Sequence, residues 1–378
     1  MRIESLKLTN FRNYDNLSIN LNPYINIFIG NNGQGKTNIL ESIYILSLTK
    51  SNRYGNDSDV IKFNEKISKI EGIIRRDDLI RKHEIVISSD KKKLLINNKE
   101  IHKSKDYISN FCVISFSPLD LEIIKGSPNI RRNMLNIDIS QLDKEYVSYL
   151  NEYNSIIKMR NEYLKKLNIN GNTDYRYLDI LNDKMIEKAV KIYEYRFNYI
   201  NKINNYISNI FKKITGFTNL IISYENSIGI DYFNEEMIIS NYKKKLKRNF
   251  NNELMQGVTL IGPHRDDIIF KLNDTDMKLF SSQGQQRMAI IALKLSEIMI
   301  FKDMIGEYPV LLLDDIFSEI DLKKRNKIIK YLGNDIQTII TTTDIDNIDN
   351  SLLENSSVYI VNNNKVTKKG RLNYGRKG

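Results

Sequence analysis

Gly30-Asn31-Asn32-Gly33-Gln34-Gly35-Lys36-Thr37 follows the pattern G-x-x-x-x-G-K-[ST], the P-loop. Its residue types suit holding a polyphosphate. Glycines let the backbone curl so that successive N–H groups point inward at an anion. A helix starting just beyond adds partial positive charge. Lys36 is expected to reach the β- and γ-phosphates, and the Thr37 hydroxyl to ligate Mg²⁺. Val310-Leu311-Leu312-Leu313-Asp314-Asp315 is an apolar run ending in two acids, the Walker B pattern. Asp314 suits holding Mg²⁺ through its water shell, and Asp315 suits orienting or deprotonating an attacking water. The expected cofactors are therefore ATP and Mg²⁺. Lys36 and Asp315 are the expected catalytic groups, and Thr37 and Asp314 the metal ligands.

These residues need particular elements to bring them together. Ile25–Ile29 reads as a buried strand before the loop, and Ile39, Ile43 and Leu46 share one helical face after it. Pro309–Leu313 and Ile336–Ile340 read as buried parallel strands between helices. Ser281-Ser282-Gln283-Gly284-Gln285-Gln286-Arg287 places a hydroxyl and a glycine at the start of a helix over Met288–Ile300. That is a third potential anion contact. A helix cap accounts for Ser282 but not for the Gly284-Gln285 that follows. Ile3–Leu8 and Leu17–Leu21 read as short strands, and Ile67–Ile101 as antiparallel sheet with turns at Ser89–Lys92 and Asn97-Asn98. Phe111–Phe116 reads as one more strand. Apolar residues at three- and four-residue spacing predict long helices over Asp143–Leu167 and Tyr175–Ile214, joined by a polar turn. The Lys243–Arg248 run reads equally as a solvated helix face or a phosphate-contacting patch. The tail after Lys365 is expected to fray.

The chain has 378 residues, 41% of them hydrophobic, which is enough for a core. No run approaches the length of a membrane span, and Met1–Lys7 has no leader pattern. The lone Cys112 excludes an internal disulfide framework, reads as a small buried strand residue, and fits a reducing cytosol. Three histidines with one cysteine make no zinc set. A net charge of +11 favours a polyanionic partner, nucleic acid first and acidic membrane surface second, with the codon drift of an AT-biased genome as the competing source of the lysine excess.

Ser282-Gln283-Gly284-Gln285 resembles the signature motif of ABC-type ATPases, and Ser318-Glu319-Ile320-Asp321 resembles their D-loop. Thr341-Thr342-Thr343-Asp344 stands where transporters of that class carry a switch histidine. The separation of Thr37 from Ser282 is too long for a transporter domain and far too short for an SMC coiled coil. The expected fold is α/β: an ABC-type P-loop ATPase head split in sequence, with an inserted helical-hairpin arm. Its parts would be residues 1–135, the arm 136–255, and 256–378.

Over nearly its full length the chain is similar to the RecF family of bacterial DNA repair and replication proteins, which have SMC-like ATPase heads. The matching stretches include Leu8–Tyr14, Phe116–Leu121, Lys125–Pro128 with Arg131-Arg132, Gly262-Pro263-His264-Arg265-Asp266-Asp267, and Leu313–Asp321. The resemblance implies that Arg12 joins Gly30–Thr37, Ser282, Gly284 and Gln285 at the nucleotide. It implies binding to single-stranded, double-stranded or gapped DNA, an ATP-dependent homodimer with weak DNA-dependent hydrolysis, and a cytoplasmic, nucleoid-associated location. RecO and RecR would be partners in loading RecA, with support of the SOS response. For His264 a structural or interface role stands beside a chemical one. The alternative is an SMC-like or transport-type ABC subunit driving another partner.

Overall fold

The computed structural model describes residues 1–53, 55–170, 175–316, 320, 324–325, 327–328, 335–343 and 356–369. They form two compact units. The first comprises Met1–Asp120, Lys213–Thr215 and Lys294–Gly378, the second Leu121–Lys212 and Gly216–Leu293. These units divide the chain at other points than 135/136 and 255/256. Among the described residues, no helix is long and apolar enough to cross a membrane.

The first unit has two six-stranded sheets. One is antiparallel and is formed by β1 (Arg2–Phe11), β2 (Tyr14–Asn20), β4 (Ile67–Arg76), β5 (Leu79–Ser88), β6 (Lys92–Ile96) and β7 (Lys99–Glu100), in the order β2-β1-β4-β5-β6-β7. In β1 the buried residues Ile3, Leu6 and Leu8 break strict alternation. A register shift between Ile3 and Ser5 supplies the extra residue that keeps both stretches facing the core. Asn97 and Asn98, both left-handed, make the β6–β7 turn.

The other sheet contains β3 (Ile25–Ile29), β8 (Val113–Phe116), β12 (Val310–Asp314), β13 (Thr338–Thr342), β14 (Ser356–Asn362) and β15 (Lys365–Lys368), in the order β15-β14-β3-β13-β12-β8. All neighbours except β14 and β15 are parallel. Helix α1 (Lys36–Leu48) touches strands of both sheets and is buried almost all round, as its apolar sequence requires. A one-turn helix, α2 (Ser104–Tyr107), precedes β8. Cys112 is fully buried, and burial pushes its thiol up to about 12. Residues Lys365–Lys368 correct the expectation of a frayed tail after Lys365. Left-handed Asn363 and Asn364 turn the chain tightly, so β15 pairs with β14.

The second unit is largely helical. It contains the one-turn α3 (Glu122–Lys125), α4 (Pro128–Leu142), α5 (Lys144–Asn170), α6 (Arg176–Thr215) up to Lys212, α7 (Glu235–Gln256), the one-turn α8 (Met277–Phe280) and the start of α9 (Gln283–Ile305). A small sheet, β11-β10-β9, adds β9 (Leu220–Glu225), β10 (Asp267–Leu272) and β11 (Thr275–Asp276). Helices α5 and α6 are the expected antiparallel hairpin: Lys188 pairs with Glu152, and Arg160 with Asn182. Arg160 is buried and also binds Glu253 at 2.6 Å and Thr259 at 2.9 Å, so α7 is tied to the pair. Removing one partner would leave a buried charge uncompensated. The Lys243–Arg248 run lies on α7; Tyr242 and Leu246 face inward, while Lys243, Lys244, Lys247 and Arg248 are exposed.

His83 on β5 is fully buried, and neither ring nitrogen has a hydrogen-bond partner among the described residues. It packs edge-on to Tyr107 at 5.2 Å between ring centroids. Burial pushes its pKa from 6.5 down to about 4, with Arg81 adding to the effect. The neutral ring's contribution to stability is therefore complete above pH 6.5 and lost as pH falls through about 4. Denaturant titrations of wild type and His83→Phe should diverge across this window. His83 should account for a loss on the order of 2–3 kcal/mol in the wild type. Identical acid sensitivity in the two proteins would contradict this.

Candidate functional site

The P-loop bridges the end of β3 and the start of α1. The Gly30 N–H donates to the Thr342 carbonyl at 3.3 Å. A Cβ on Gly30 would lie 2.2 Å from the Val361 carbonyl oxygen of β14, so this position admits no side chain. Two distant turns hold the rest of the loop. The Tyr14 hydroxyl donates to the Gly35 carbonyl at 3.2 Å, and the Asn363 N–H donates to Gln34 Oε1 at 2.5 Å. Asn31, Asn32 and Gly33 are exposed at the loop's tip. The Lys36 ammonium is buried and donates to the carbonyls of Gly30 at 2.5 Å and Asn31 at 2.9 Å. Desolvation lowers its pKa, while Asp315 and Asp314 oppose that shift.

Sheet order brings the acids to the same edge. Strands β3, β13 and β12 are adjacent and parallel, so their C-terminal ends share one rim. Asp314 Oδ1 accepts from Thr37 Oγ1 at 3.1 Å and from Thr341 Oγ1 at 2.6 Å. Asp315 follows with a left-handed backbone, φ 50°, and its N–H donates to the Thr341 carbonyl at 3.2 Å. A hydroxyl beside a carboxylate is a hard oxygen set. It fits Mg²⁺, which keeps waters and takes phosphate oxygens rather than requiring an all-protein cage.

Arg12 sits in the β1–β2 turn with φ 51°. Its guanidinium closes on Glu41 of α1, with Nη2–Oε1 at 2.6 Å and Nε–Oε2 at 3.1 Å, and Nη1 donates to the Asp59 carbonyl at 2.8 Å. Buried Glu41 also accepts from Ser51 at 2.6 Å and Arg53 at 3.3 Å. Arg53 further donates to Asn38 Oδ1 at 3.1 Å. Glu41 and Arg53 were missed from sequence. The available signal was a lone acid inside a helix buried on every side, which demands a cationic partner.

Ser282, Gly284 and Gln285 belong to the second unit, at the start of α9. The Gln285 N–H donates to Ser282 Oγ at 3.3 Å, and the Ser282 N–H donates to Gln285 Oε1 at 2.9 Å. This is a reciprocal capping box. Local capping thus accounts for Gln285 as well as Ser282, which corrects the narrower expectation from sequence. It does not account for Gly284, where nothing lies within 4 Å of a built Cβ. Leu279 and Phe280, just before, are 70% and 73% exposed. Ser318, Glu319, Asp321 and Asp344 lie outside the described residues.

Residues 2–368 match the RecF/RecN/SMC N terminal domain family. A DNA replication and repair protein RecF from Halalkalibacterium halodurans is 37% identical over 372 residues, covering 98% of this chain and 100% of that protein. The chain belongs to the RecF family. A solved structure of the recombination mediator protein RecF with ATPrS, in the RecFOR pathway, superposes with a TM-score of 0.90 at 32% identity, covering 98% of each chain. An Smc head bound to the C-terminal winged-helix domain of ScpA gives a TM-score of 0.54 at 15% identity, a likeness of fold alone. The expected α/β ATPase-head class is therefore the one found, within the RecF family.

The two glycines make opposite predictions. Gly30→Ala should cost about 1–3 kcal/mol of unfolding free energy, because the Val361 carbonyl must move. Gly284→Ala should cost nothing and gain up to about 1 kcal/mol, because helical glycine is unfavourable and the space is open. Equal losses in urea titrations would contradict both assignments.

Proposed function

We propose that this chain is an ATP-switched DNA-binding protein of recombinational repair and replication restart, working as RecF proteins do with RecO- and RecR-type partners. The observation that carries the reading is the meeting of Thr37 and Asp314 beside buried Lys36, in a chain related over its whole length to RecF. Gly30 to Thr37 would cradle the phosphates, with Lys36 leaving its loop carbonyls for the β- and γ-oxygens. Thr37 and Asp314 would hold Mg²⁺, which when bound neutralises charge on the phosphate oxygens. Asp315 would orient the attacking water.

The second half of the grip would come from another copy. Gly284 is exposed, helical and unconstrained by its own chain, as a surface approached closely from outside would be. Capped Ser282 and Gln285 would present the helix start to the γ-phosphate, and exposed Leu279 and Phe280 would add apolar contact. Arg12, held by Glu41, would act at the nucleotide only by exchanging that partner; otherwise it positions α1. DNA would be held mainly through its backbone by the excess of cations.

Asp315→Asn tests the assignment. It should bind ATP as the wild type does, hydrolyse it about 100-fold or more slowly, and accumulate as a dimer with ATP and Mg²⁺ in light scattering. Hydrolysis at the wild-type rate would remove the role given to Asp315.

A further inference from the structure

Pro263 and His264 belong to the RecF-like Gly262–Asp267 segment, which has no part in the nucleotide site just described. They wall a cavity of about 210 Å³ between α4, α5 and α6, entirely inside the second unit. No carboxylate lines it, and Leu150 and Pro263 are its apolar side chains apart from the Tyr153 ring. A cation would need acids there, and a greasy ligand would need a greasier wall.

The cavity's cations have distinct states. Arg196 is 1% exposed and donates four hydrogen bonds. Nη1 donates to the Pro263 carbonyl at 2.6 Å and the Tyr224 hydroxyl at 3.3 Å, Nε to the Tyr146 hydroxyl at 3.2 Å, and Nη2 to Asn136 Oδ1 at 3.1 Å. Asp266 offsets its charge through Tyr224, at 2.7 Å. Arg131, next to the cavity, is closed bidentately on Asp267. His264 is a neutral wall. Its Nε2 lies 3.1 Å from the Thr259 carbonyl, which can only accept, so Nδ1 accepts from the Tyr153 hydroxyl at 2.7 Å.

Arg132 differs from these. Its Nη1 donates to the Asp266 carbonyl at 2.7 Å, while Nε and Nη2 have no protein partner among the described residues. Burial and then neighbouring Arg196 disfavour its charge, while Asp267 and Asp266 partly offset them. Asn129, Asn133 and Asn136 share its face of α4 at helical spacing. Asn136 spends its oxygen on Arg196 and Tyr146, which leaves its amide N–H groups as donors. Asn154 adds an exposed carboxamide from α5. A carboxylate offers two oxygens in one plane; donors arriving from two helices suit a tetrahedral oxyanion better.

We propose that this cavity is a phosphoryl-binding site, with Arg132 as its anchor and the surrounding asparagines as donors, filled by a backbone phosphate of nucleic acid or by free phosphate. The nucleic-acid source rests on the DNA-binding reading above; the free-phosphate source does not.

Calorimetry with inorganic phosphate and fluorescence anisotropy with a labelled DNA duplex separate the two sources. The variants are Arg132→Gln and Asn133→Asp. Asn133 is exposed, so its substitution adds one negative charge at the cavity without disturbing packing. At least one ligand should bind about tenfold or more weakly in both variants, each with the wild-type circular dichroism spectrum. If DNA is the source, Arg132→Gln should also reduce the slope of log affinity against log salt by about 0.9. If the wild type binds no DNA, the DNA-binding reading fails while the phosphate titration still decides the site. Unchanged affinity for both ligands in both variants would overturn the proposal. So would wild type that binds neither ligand, or that binds an Asp/Glu-rich peptide more tightly than phosphate.

Discussion

One carboxylate oxygen organises the head. Asp314 Oδ1 takes hydroxyls from Thr37 and Thr341, so the ends of β12 and β13 and the start of α1, which follows β3 through the P-loop, converge on a single atom. The convergence depends on register: Asp314 pairs with Thr341, and Thr341 with Phe28, across β12, β13 and β3. A slip of one residue would send these side chains to the opposite face of the sheet. The nearly continuous burial of the three strands makes such a slip costly, because it would also displace a core of isoleucines and leucines.

The loop above that rim is held by chain segments far from it in sequence. Gly30 lies against Val361, Gly35 against Tyr14, and Gln34 against Asn363. A left-handed hairpin near each end of the chain therefore braces the phosphate loop. Lys36 is already desolvated and held on two loop carbonyls, so engaging phosphate would exchange those acceptors for phosphate oxygens with the desolvation cost already met. The signature helix start is likewise pre-formed by its own capping box.

Much of this was legible in sequence because the signals were local. The P-loop glycines, the apolar strand ending in Asp314-Asp315 and the three- and four-residue periodicity of α5 and α6 each specify an element without outside help. What was not legible depended on tertiary partners. The bulge in β1 is needed only because β4 pairs beside it. Strand β15 is basic and short, and it is stabilised by the edge of a sheet. The Arg12–Glu41 pair joins a turn to a helix, and neither residue alone announces the other. Helix α4 was missed because its buried face carries Arg131, Asp138 and Gln141, polar groups that only their partners make tolerable.

The central claim is that the γ-phosphate is gripped by two copies of the chain. Mixing Lys36→Met protein with Ser282→Arg protein tests it most directly. Each alone should be unable to hydrolyse ATP, one lacking its phosphate lysine and the other a usable signature. In the mixture, the intact P-loop of one copy would face the intact signature of the other, and hydrolysis should return to a substantial fraction of the wild-type rate. A mixture as inactive as its components, or a Ser282→Arg protein that hydrolyses normally by itself, would contradict the account.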